Sequence, residues 1–279
     1  MNIRDKPNIT TEQVDFCEPD PKSESTVYPS ENWVEVVTTT RREGNNIAKY
    51  RRISGDRFVD SSTGEVREYQ RNLGEPVDAS KFKRNFDELR RTICSNVRGK
   101  GAELHITLTV RPELSADFEA IYNYFTGFRK KLQYHYPDFE YIAIAEPHET
   151  GRYHLHVVLV SHGDIPVFLS NSEIAKMWDA GFTRTTRITD SDKIAGYFCS
   201  MEKRKAWAEF YCPRRRLFRC SKGIVRPKPL RMTGEEVSNY VKEEGLCPAR
   251  AYRYVVKKTQ ADGSTQTVNV VTREQFRRG

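Results

Sequence analysis

The run Tyr153–Ser161 reads YHLHVVLVS, and it constrains the fold more than any other part of the chain. It has the β-branched and aromatic content of a strand, with no internal glycine or proline. Side chains alternate between the two faces of a strand, so His154 and His156 project from the same face. Two imidazoles on an otherwise apolar strand need polar partners if they are buried, and a divalent metal ion suits both.

The preceding run supplies a third candidate ligand. Phe139–Glu146 reads FEYIAIAE and alternates like a strand, and Pro147–Arg152 reads as a hairpin loop. Such a hairpin brings Glu146 beside the start of the next strand, close to His154. The sequence therefore predicts a metal site made of Glu146, His154 and His156. A partly filled site that contains oxygen suits Mg²⁺ or Mn²⁺ in phosphate chemistry, while spacing alone leaves zinc open.

The alternative interpretation of this pair is two ordinarily hydrogen-bonded histidines. The position of Glu146 favours the metal, because an isolated pair of histidines on a strand is a weak motif. The remaining histidines lack such company, and we expect them to be exposed or ordinarily bonded. They are His105, His135, His148 and His162.

Charge and composition restrict the partner and the compartment. The chain has 279 residues, a net charge of +8 and a pI of about 9.1, which predicts a polyanion partner, nucleic acid before a membrane surface. No apolar run has the length of a membrane span, and the N-terminus has no signal-peptide pattern. The six cysteines form no CxxC pair, so they are expected to be reduced thiols of a cytoplasmic protein.

Patterning along the chain predicts four segments. They are a disordered leader over 1–32, a β-rich and helical extension over 33–100, a core with a basic segment over 101–230, and a helix with a β-hairpin over 231–279. The core reads as strand, helix, strand, strand, helix, strand and helix, the last helix running from Lys193 to about Trp207. Two strand–helix–strand units joined by a hairpin predict a ferredoxin-like α+β fold, with a central antiparallel sheet flanked by helices.

A tyrosine on that last helix is the second candidate functional element. Tyr197 lies in KIAGYFCSMEKRK, where an ordinary tyrosine packs at the rim of the core. A phosphate-directed metal site on a basic protein, however, points to nucleic-acid cleavage, for which a tyrosine can supply the nucleophile. Because a phenol has a pKa of about 10, it needs help from the metal or from a cation such as Lys203.

Taken together, these motifs resemble the HUH endonuclease superfamily, in particular rolling-circle replication initiators of the filamentous-phage and plasmid type. The resemblance rests on HITLTV (His105–Val110), on the HxH strand with its acidic neighbour, and on the Tyr197 helix, and it spans roughly residues 50–230. Helices of this family commonly read YxxKYxxK. Here the third residue after Tyr197 is Ser200, which leaves Lys203, Arg204 or Lys205 as the helper cation.

The resemblance implies an RRM-like HUH fold and an enzyme that nicks and rejoins single-stranded origin DNA through a 5′-phosphotyrosine. It implies Tyr197 and Lys203 as catalytic residues, Glu146, His154 and His156 as metal ligands, and a host helicase and polymerase as partners in a bacterial cytoplasm. The basic segment Tyr211–Pro229 is expected to hold the DNA strand, although a solvated charged face is the alternative. Its candidate contacts are Arg214, Arg215, Arg216, Arg219, Lys222 and Arg226.

Three other functions fit the same residues. A plasmid mobilisation relaxase or a single-strand transposase of the same superfamily has identical chemistry and differs in its DNA substrate. A non-catalytic nucleic-acid-binding protein on the same type of sheet would need no metal, so a test of metal dependence separates it from the enzymes.

Overall fold

The computed structural model describes residues 8–40, 50–54, 57–60, 63–68, 79–161, 168–209, 216–259 and 263–278. The first strands are β1 (Asn8–Val14), β2 (Glu24–Pro29), β3 (Trp33–Thr39), β4 (Tyr50–Ser54), β5 (Arg57–Asp60), β6 (Val66–Glu68) and β7 (Glu103–Leu108). The later strands are β8 (Phe139–Pro147), β9 (Tyr153–Ser161), β10 (Thr183–Ile188), β11 (Phe218–Cys220), β12 (Leu230–Thr233), β13 (Cys247–Thr259) and β14 (Thr265–Arg277). The helices are α1 (Ala79–Asn96), α2 (Phe118–His135), α3 (Asn171–Trp178), α4 (Ser191–Phe198), α5 (Met201–Glu209) and α6 (Gly234–Glu243).

A five-stranded sheet carries the candidate site. Its strand order is β10-β7-β9-β8-β11, and all neighbouring strands are antiparallel. In sequence, its first four strands follow the pattern β7-α2-β8-β9-α3-β10. Helices α2 and α3 contact each other, and α2 packs on β8 and β9. The protein is therefore an α+β protein whose central strands are antiparallel.

The two faces of this sheet are covered by different helices. Tyr141 and Tyr153 belong to the face covered by α2, where their rings contact Phe125 and Phe118. The opposite face carries His156, whose ring lies 5.3 Å from that of Phe198 on α4. Helix α1 lies behind α4 and α5 on this second side and contacts both. The histidine face is consequently closed by helices except where Tyr197 and the ends of β8 and β9 meet solvent.

The second large sheet is built from both ends of the chain. Its order is β1-β13-β14-β3-β2-β12, so N-terminal and C-terminal strands alternate in pairs. Helix α6 packs on it, and a small apolar core lies between them, which contains Val27, Val34, Val36, Val237, Leu246 and Phe276. Strands β4, β5 and β6 form a separate three-stranded antiparallel sheet. Across all the ranges given above, every helix is too short or too polar to cross a membrane.

Buried ion pairs join the six-stranded sheet to α1. Arg91 of α1 donates two hydrogen bonds to Glu35 of β3, at 2.8 and 3.2 Å. Arg273 of β14 donates two to Asp87 of α1, at 3.0 and 2.8 Å, and its Nε lies 2.9 Å from Glu35. A guanidinium with two aligned donors matches a carboxylate, so each pair fixes orientation as well as distance.

A second group of ion pairs joins the same sheet to α4. Asp192, near the start of α4, pairs with Arg90 of α1 and with Arg250 of β13. Gln275 of β14 accepts a hydrogen bond from Arg90 at 3.0 Å. The six-stranded sheet therefore braces the helix that carries Tyr197.

Most predicted elements of the core form as expected, and two predictions need correction. The disordered leader over 1–32 is wrong for the part of it that the structure describes, because β1 and β2 lie there. β1 is paired along its length with β13, a long-range contact that local composition does not reveal. The single helix from Lys193 to Trp207 is also wrong: it is interrupted at Cys199, so that α4 and α5 are separate. The segment boundaries themselves stay a prediction.

Candidate metal centre and nucleophile

The β8–β9 hairpin places three candidate ligands together. Glu146 pairs directly with His154 across the hairpin, and His156 follows two residues later on the same face. The Glu146 carboxylate lies 2.9 Å from Nε2 of His156 and 3.8 Å from Nε2 of His154. One ligand atom from each of the three residues lies within 4.8 Å of the others. The register that the hairpin imposes therefore converges one oxygen and two nitrogen donors on a single point.

The environment of His156 fits a metal ligand. Its side chain is buried, and its Nε2 has no hydrogen-bond partner among the described residues, since the close approach to Glu146 lacks hydrogen-bond geometry. Its Nδ1 lies 2.9 Å from Nε2 of His105 and 3.3 Å from the hydroxyl of Thr107. A buried ring nitrogen without a partner is costly, whereas coordination of a cation satisfies it. A hydrogen bond to the other ring nitrogen is the usual support for a ligating histidine.

The site holds its residues in the protonation states that metal binding requires. Burial opposes ionisation of Glu146, but its contacts with His156 and Lys203 prevail and lower the pKa of the carboxyl to about 2. Burial, reinforced by nearby His156, lowers the pKa of His154 to about 4. At neutral pH Glu146 is thus ionised and His154 is neutral, as ligands of a divalent cation must be.

Tyr197 and Lys203 lie beside this cluster. The Nζ of Lys203 contacts the Glu146 carboxylate and lies 3.4 Å from the phenol oxygen of Tyr197. The Tyr197 ring is 5.9 Å from that of His156 and is 44% exposed. The phenol is consequently open to solvent on one side and has an ammonium group and the ligand cluster on the other.

The break between α4 and α5 explains this arrangement. A continuous helix would turn residues 197 and 203 well apart, because six residues are far from a whole number of turns. Of the three cations left open by the sequence, Lys203 is the one that the structure brings to Tyr197. Arg204 instead donates to the carbonyl of Cys199 at 3.0 Å, and Lys205 is exposed on α5.

A competing nucleophile next to Tyr197 is disfavoured by its surroundings. Cys199 is buried, and its thiol donates to the carbonyl of Phe86 at 3.2 Å. Burial raises the pKa of this thiol to about 12. Since the thiolate is the reactive form, Cys199 is inert at neutral pH.

His105 is the residue that sequence reasoning undervalued. We expected it to be exposed or ordinarily bonded, whereas it contacts His156 and its ring lies 6.1 Å from that of Tyr197. Burial, with a smaller effect of His156, lowers the pKa of His105 to about 3. The pairing of β7 with β9 places it there, and its own alternation with Thr107 on β7 was the available signal. His148 is exposed in the hairpin loop, and His162 lies outside the described residues.

The basic segment runs along the other edge of the sheet, beyond β8. Arg216, Arg219, Lys222 and Arg226 are exposed, and Arg214 and Arg215 lie outside the described residues. Arg219 lies 3.6 Å from the ring centroid of Tyr122, and Arg226 is 3.1 Å from Glu88. Three of these arginines, Arg216, Arg219 and Arg226, line an open cavity of about 710 Å³ with Phe118 and Phe218. Cations interleaved with aromatic rings are typical of single-strand binding surfaces.

Comparison with known protein families identifies the central part of the chain. Residues 103–205 match the family described as Replication-associated protein ORF2/gene 2 protein. This segment is a little over a third of the chain and contains Glu146, His154, His156, Tyr197 and Lys203. The match supports a role in the initiation of replication. No curated protein and no solved structure matches the chain.

Proposed function

We propose that this protein is a metal-dependent enzyme that nicks and rejoins single-stranded DNA at a replication origin, with Tyr197 as the nucleophile. The observation that carries the proposal is the continuous contact from the Tyr197 phenol through Lys203 to Glu146 of the ligand cluster. All of these residues lie inside the segment that matches the replication-associated family.

The ligand cluster has the donors for a divalent cation. Mg²⁺ or Mn²⁺ held by Glu146, His154 and His156 would act as a Lewis acid on a phosphodiester oxygen. His105 and Thr107 keep the His156 ring in place, and Lys203 balances the charge of the carboxylate. Two imidazoles and one carboxylate also suit zinc, so metal identity belongs to the test rather than to the geometry.

The chemical step exchanges one phosphodiester for another. The Tyr197 oxygen forms a bond to phosphorus and gives up its proton. The bond from phosphorus to the 3′ oxygen breaks, and that oxygen leaves as a hydroxyl group. The Lys203 ammonium beside the phenol favours the negative charge that develops on the attacking oxygen. Because the 5′ phosphate stays on Tyr197, a free 3′ hydroxyl can reverse the step and rejoin the strand without ATP.

The connectivity of the five-stranded sheet supports the fold proposed with this chemistry. The pattern β7-α2-β8-β9-α3-β10 and the order β10-β7-β9-β8 are those of a ferredoxin-like core of the HUH type. In this arrangement the ligands come from the two central strands β8 and β9, and the nucleophile comes from the helix that follows the fourth strand.

The substrate is proposed to be single-stranded DNA. The exposed cations Arg216, Arg219, Lys222 and Arg226 would neutralise its phosphates, in agreement with the net charge of +8. The sequence contains no GxxxxGK[ST] phosphate loop, so a host helicase and a host polymerase would supply unwinding and synthesis.

A cleavage assay tests the proposal. Labelled single-stranded fragments that cover the replicon are incubated with the protein and Mn²⁺ or EDTA, and a denaturing gel reports cleavage and covalent adducts. We expect a metal-dependent adduct that Tyr197→Phe abolishes while DNA binding is retained. Binding without an adduct on every fragment would instead favour the non-catalytic nucleic-acid-binding protein.

A further inference from the structure

A pocket of about 310 Å³ opens between β10 and α4, directly beside Tyr197. Its lining includes His105, Thr186, Ile188, Lys193, Ile194 and Tyr197. The pocket lies on the β10 side of the phenol, whereas Lys203 and the ligand cluster lie on the β8 side. Neither the chemical step nor the basic segment uses it.

The walls of this pocket suit a flat, largely apolar group with an attached phosphate. Ile188 and Ile194 give it apolar surface, and the half-exposed ring of Tyr197 forms one side. Lys193 is exposed and brings a positive charge to the lining. Nearby, the exposed ring of Phe168 stacks with the Arg187 guanidinium, 4.8 Å from the ring centroid. Aromatic faces and cations in sequence are how proteins hold the bases and phosphates of a single strand.

One residue connects the pocket to the ligand cluster. His105 lines the pocket and lies 2.9 Å from His156. The pocket therefore begins one side chain away from the point where the scissile phosphate would bind. A bound strand has its next nucleotide within that reach.

A second phosphate is a poorer occupant than a base. The pocket also contains the carboxylate of Asp190, which caps α4 by accepting the backbone N–H groups of Asp192 and Lys193. That negative charge repels a phosphate placed deep in the pocket. Its volume is at the lower end of small-molecule sites, which is the size range of one nucleoside.

We propose that the pocket between β10 and α4 receives the base of a nucleotide that adjoins the scissile phosphate of single-stranded DNA. The inference rests on the proposed function and adds a specificity site to it: one base beside the nick is held in place while Tyr197 attacks. The enzyme then depends on that base, whereas bases elsewhere are held only by their backbone.

An abasic scan of the substrate tests this assignment with the wild-type protein. Each nucleotide around the nick is replaced in turn by an abasic site, and the rate of adduct formation is measured with Mn²⁺ at limiting DNA. We expect one position beside the nick at which loss of the base slows the reaction roughly 5- to 150-fold, the range for loss of one stacked base. A flat profile would overturn the pocket while leaving the nuclease intact.

A filled pocket provides the matching protein variant. Thr186 is exposed on β10, so Thr186→Trp is expected to occupy the pocket without disturbing the core. It should slow adduct formation on intact DNA by a similar factor and remove the abasic penalty at the sensitive position. Thr185→Trp is the control, because Thr185 is on the same strand but points to the other face. A penalty that persists in Thr186→Trp would contradict the proposal.

A crosslink on wild-type protein gives a readout that does not depend on the folding of a variant. With 5-iodouracil at the sensitive position, irradiation should crosslink the DNA to a peptide of β10 or α4. A crosslink to the basic segment instead would overturn the assignment. Failure of every replicon fragment to form an adduct would refute the proposed function itself, and the pocket assignment with it.

Discussion

Buried carboxylates occur at two places in this protein, and their partners differ. Where the six-stranded sheet meets α1, Glu35 and Asp87 each accept two hydrogen bonds from a guanidinium, a cation that stays charged at any ordinary pH. On the five-stranded sheet, Glu146 faces one lysine and two imidazoles. The first arrangement is closed and joins elements. The second leaves donor atoms that converge on a point without bonding each other, which is the arrangement of a binding site.

This contrast separates stability from chemistry. Changes at the guanidinium pairs should unfold the protein and leave the activity of the folded molecules unchanged. Changes at the ligand cluster should remove the activity from a molecule that remains folded. Each of the following experiments would fail if the two regions were energetically alike.

The largest expected effect is loss of activity in Glu146→Gln. The substitution keeps the shape of the side chain but removes the charge that Lys203 and a divalent cation need. We expect adduct formation to fall to background and calorimetric binding of Mn²⁺ to be lost. Glu140→Gln, on the same strand and the same face, should leave both unchanged. Mn²⁺-dependent adduct formation by Glu146→Gln would remove this residue from the ligand set.

The next effect is on folding. Arg273→Met leaves the carboxylates of Asp87 and Glu35 without the guanidinium that contacts both. Removal of one partner of a buried ion pair costs about 3–5 kcal/mol, so the free energy of unfolding in urea should fall by that amount. Arg253→Met, which removes an exposed ion pair with Glu12, should cost less than about 1 kcal/mol. Equal losses in the two variants would contradict the special role of the buried pairs.

A smaller effect is expected at His105, which supports a ligand without being one. His105→Phe keeps an aromatic ring in place but removes the nitrogen that His156 contacts. Loss of such support typically reduces metal affinity or activity about 10- to 100-fold. The readout is Mn²⁺ affinity measured beside adduct formation, with His148→Phe in the exposed loop as the control. Unchanged affinity in His105→Phe would reduce His105 to a packing residue.

The smallest effect is a dependence of stability on pH. Burial works against the ionised form of Asp87, but the hydrogen bonds and charge of Arg273 prevail, and its pKa lies below the ordinary value of 3.8. Its contribution to stability is therefore complete above about pH 4 and is lost as the pH falls through the lowered pKa. Urea unfolding between pH 3 and pH 7 should show a steeper acid loss for wild type than for Asp87→Asn. Parallel curves would contradict this assignment.

Local pattern was enough to predict the ligand cluster. The hairpin loop, the alternation of Tyr153–Ser161 and the position of Glu146 together determine which side chains share a face, and all three are properties of adjacent residues. The capping box of Ser170 and Glu173 was visible for the same reason, and the structure forms it.

What the sequence did not reveal depends on distant pairing. β1 is polar and resembles a disordered segment until its pairing with β13, more than two hundred residues away, is known. The contact of His105 with His156 depends on which strands are neighbours, and the approach of Lys203 to Tyr197 depends on a helix break that no glycine or proline marks. Local propensity does not encode any of these contacts.

The central claim is that Tyr197 becomes covalently joined to a 5′ phosphate, and peptide mapping of the adduct tests it most directly. Trypsin releases Tyr197 in the peptide Ile194–Lys203, IAGYFCSMEK, which contains a single tyrosine. After Mn²⁺-dependent reaction, nuclease trimming and digestion, mass spectrometry should find this peptide with a nucleotide attached to Tyr197 through its 5′ phosphate. An adduct on a different residue, or cleaved DNA with this peptide unmodified throughout the reaction, would contradict the account.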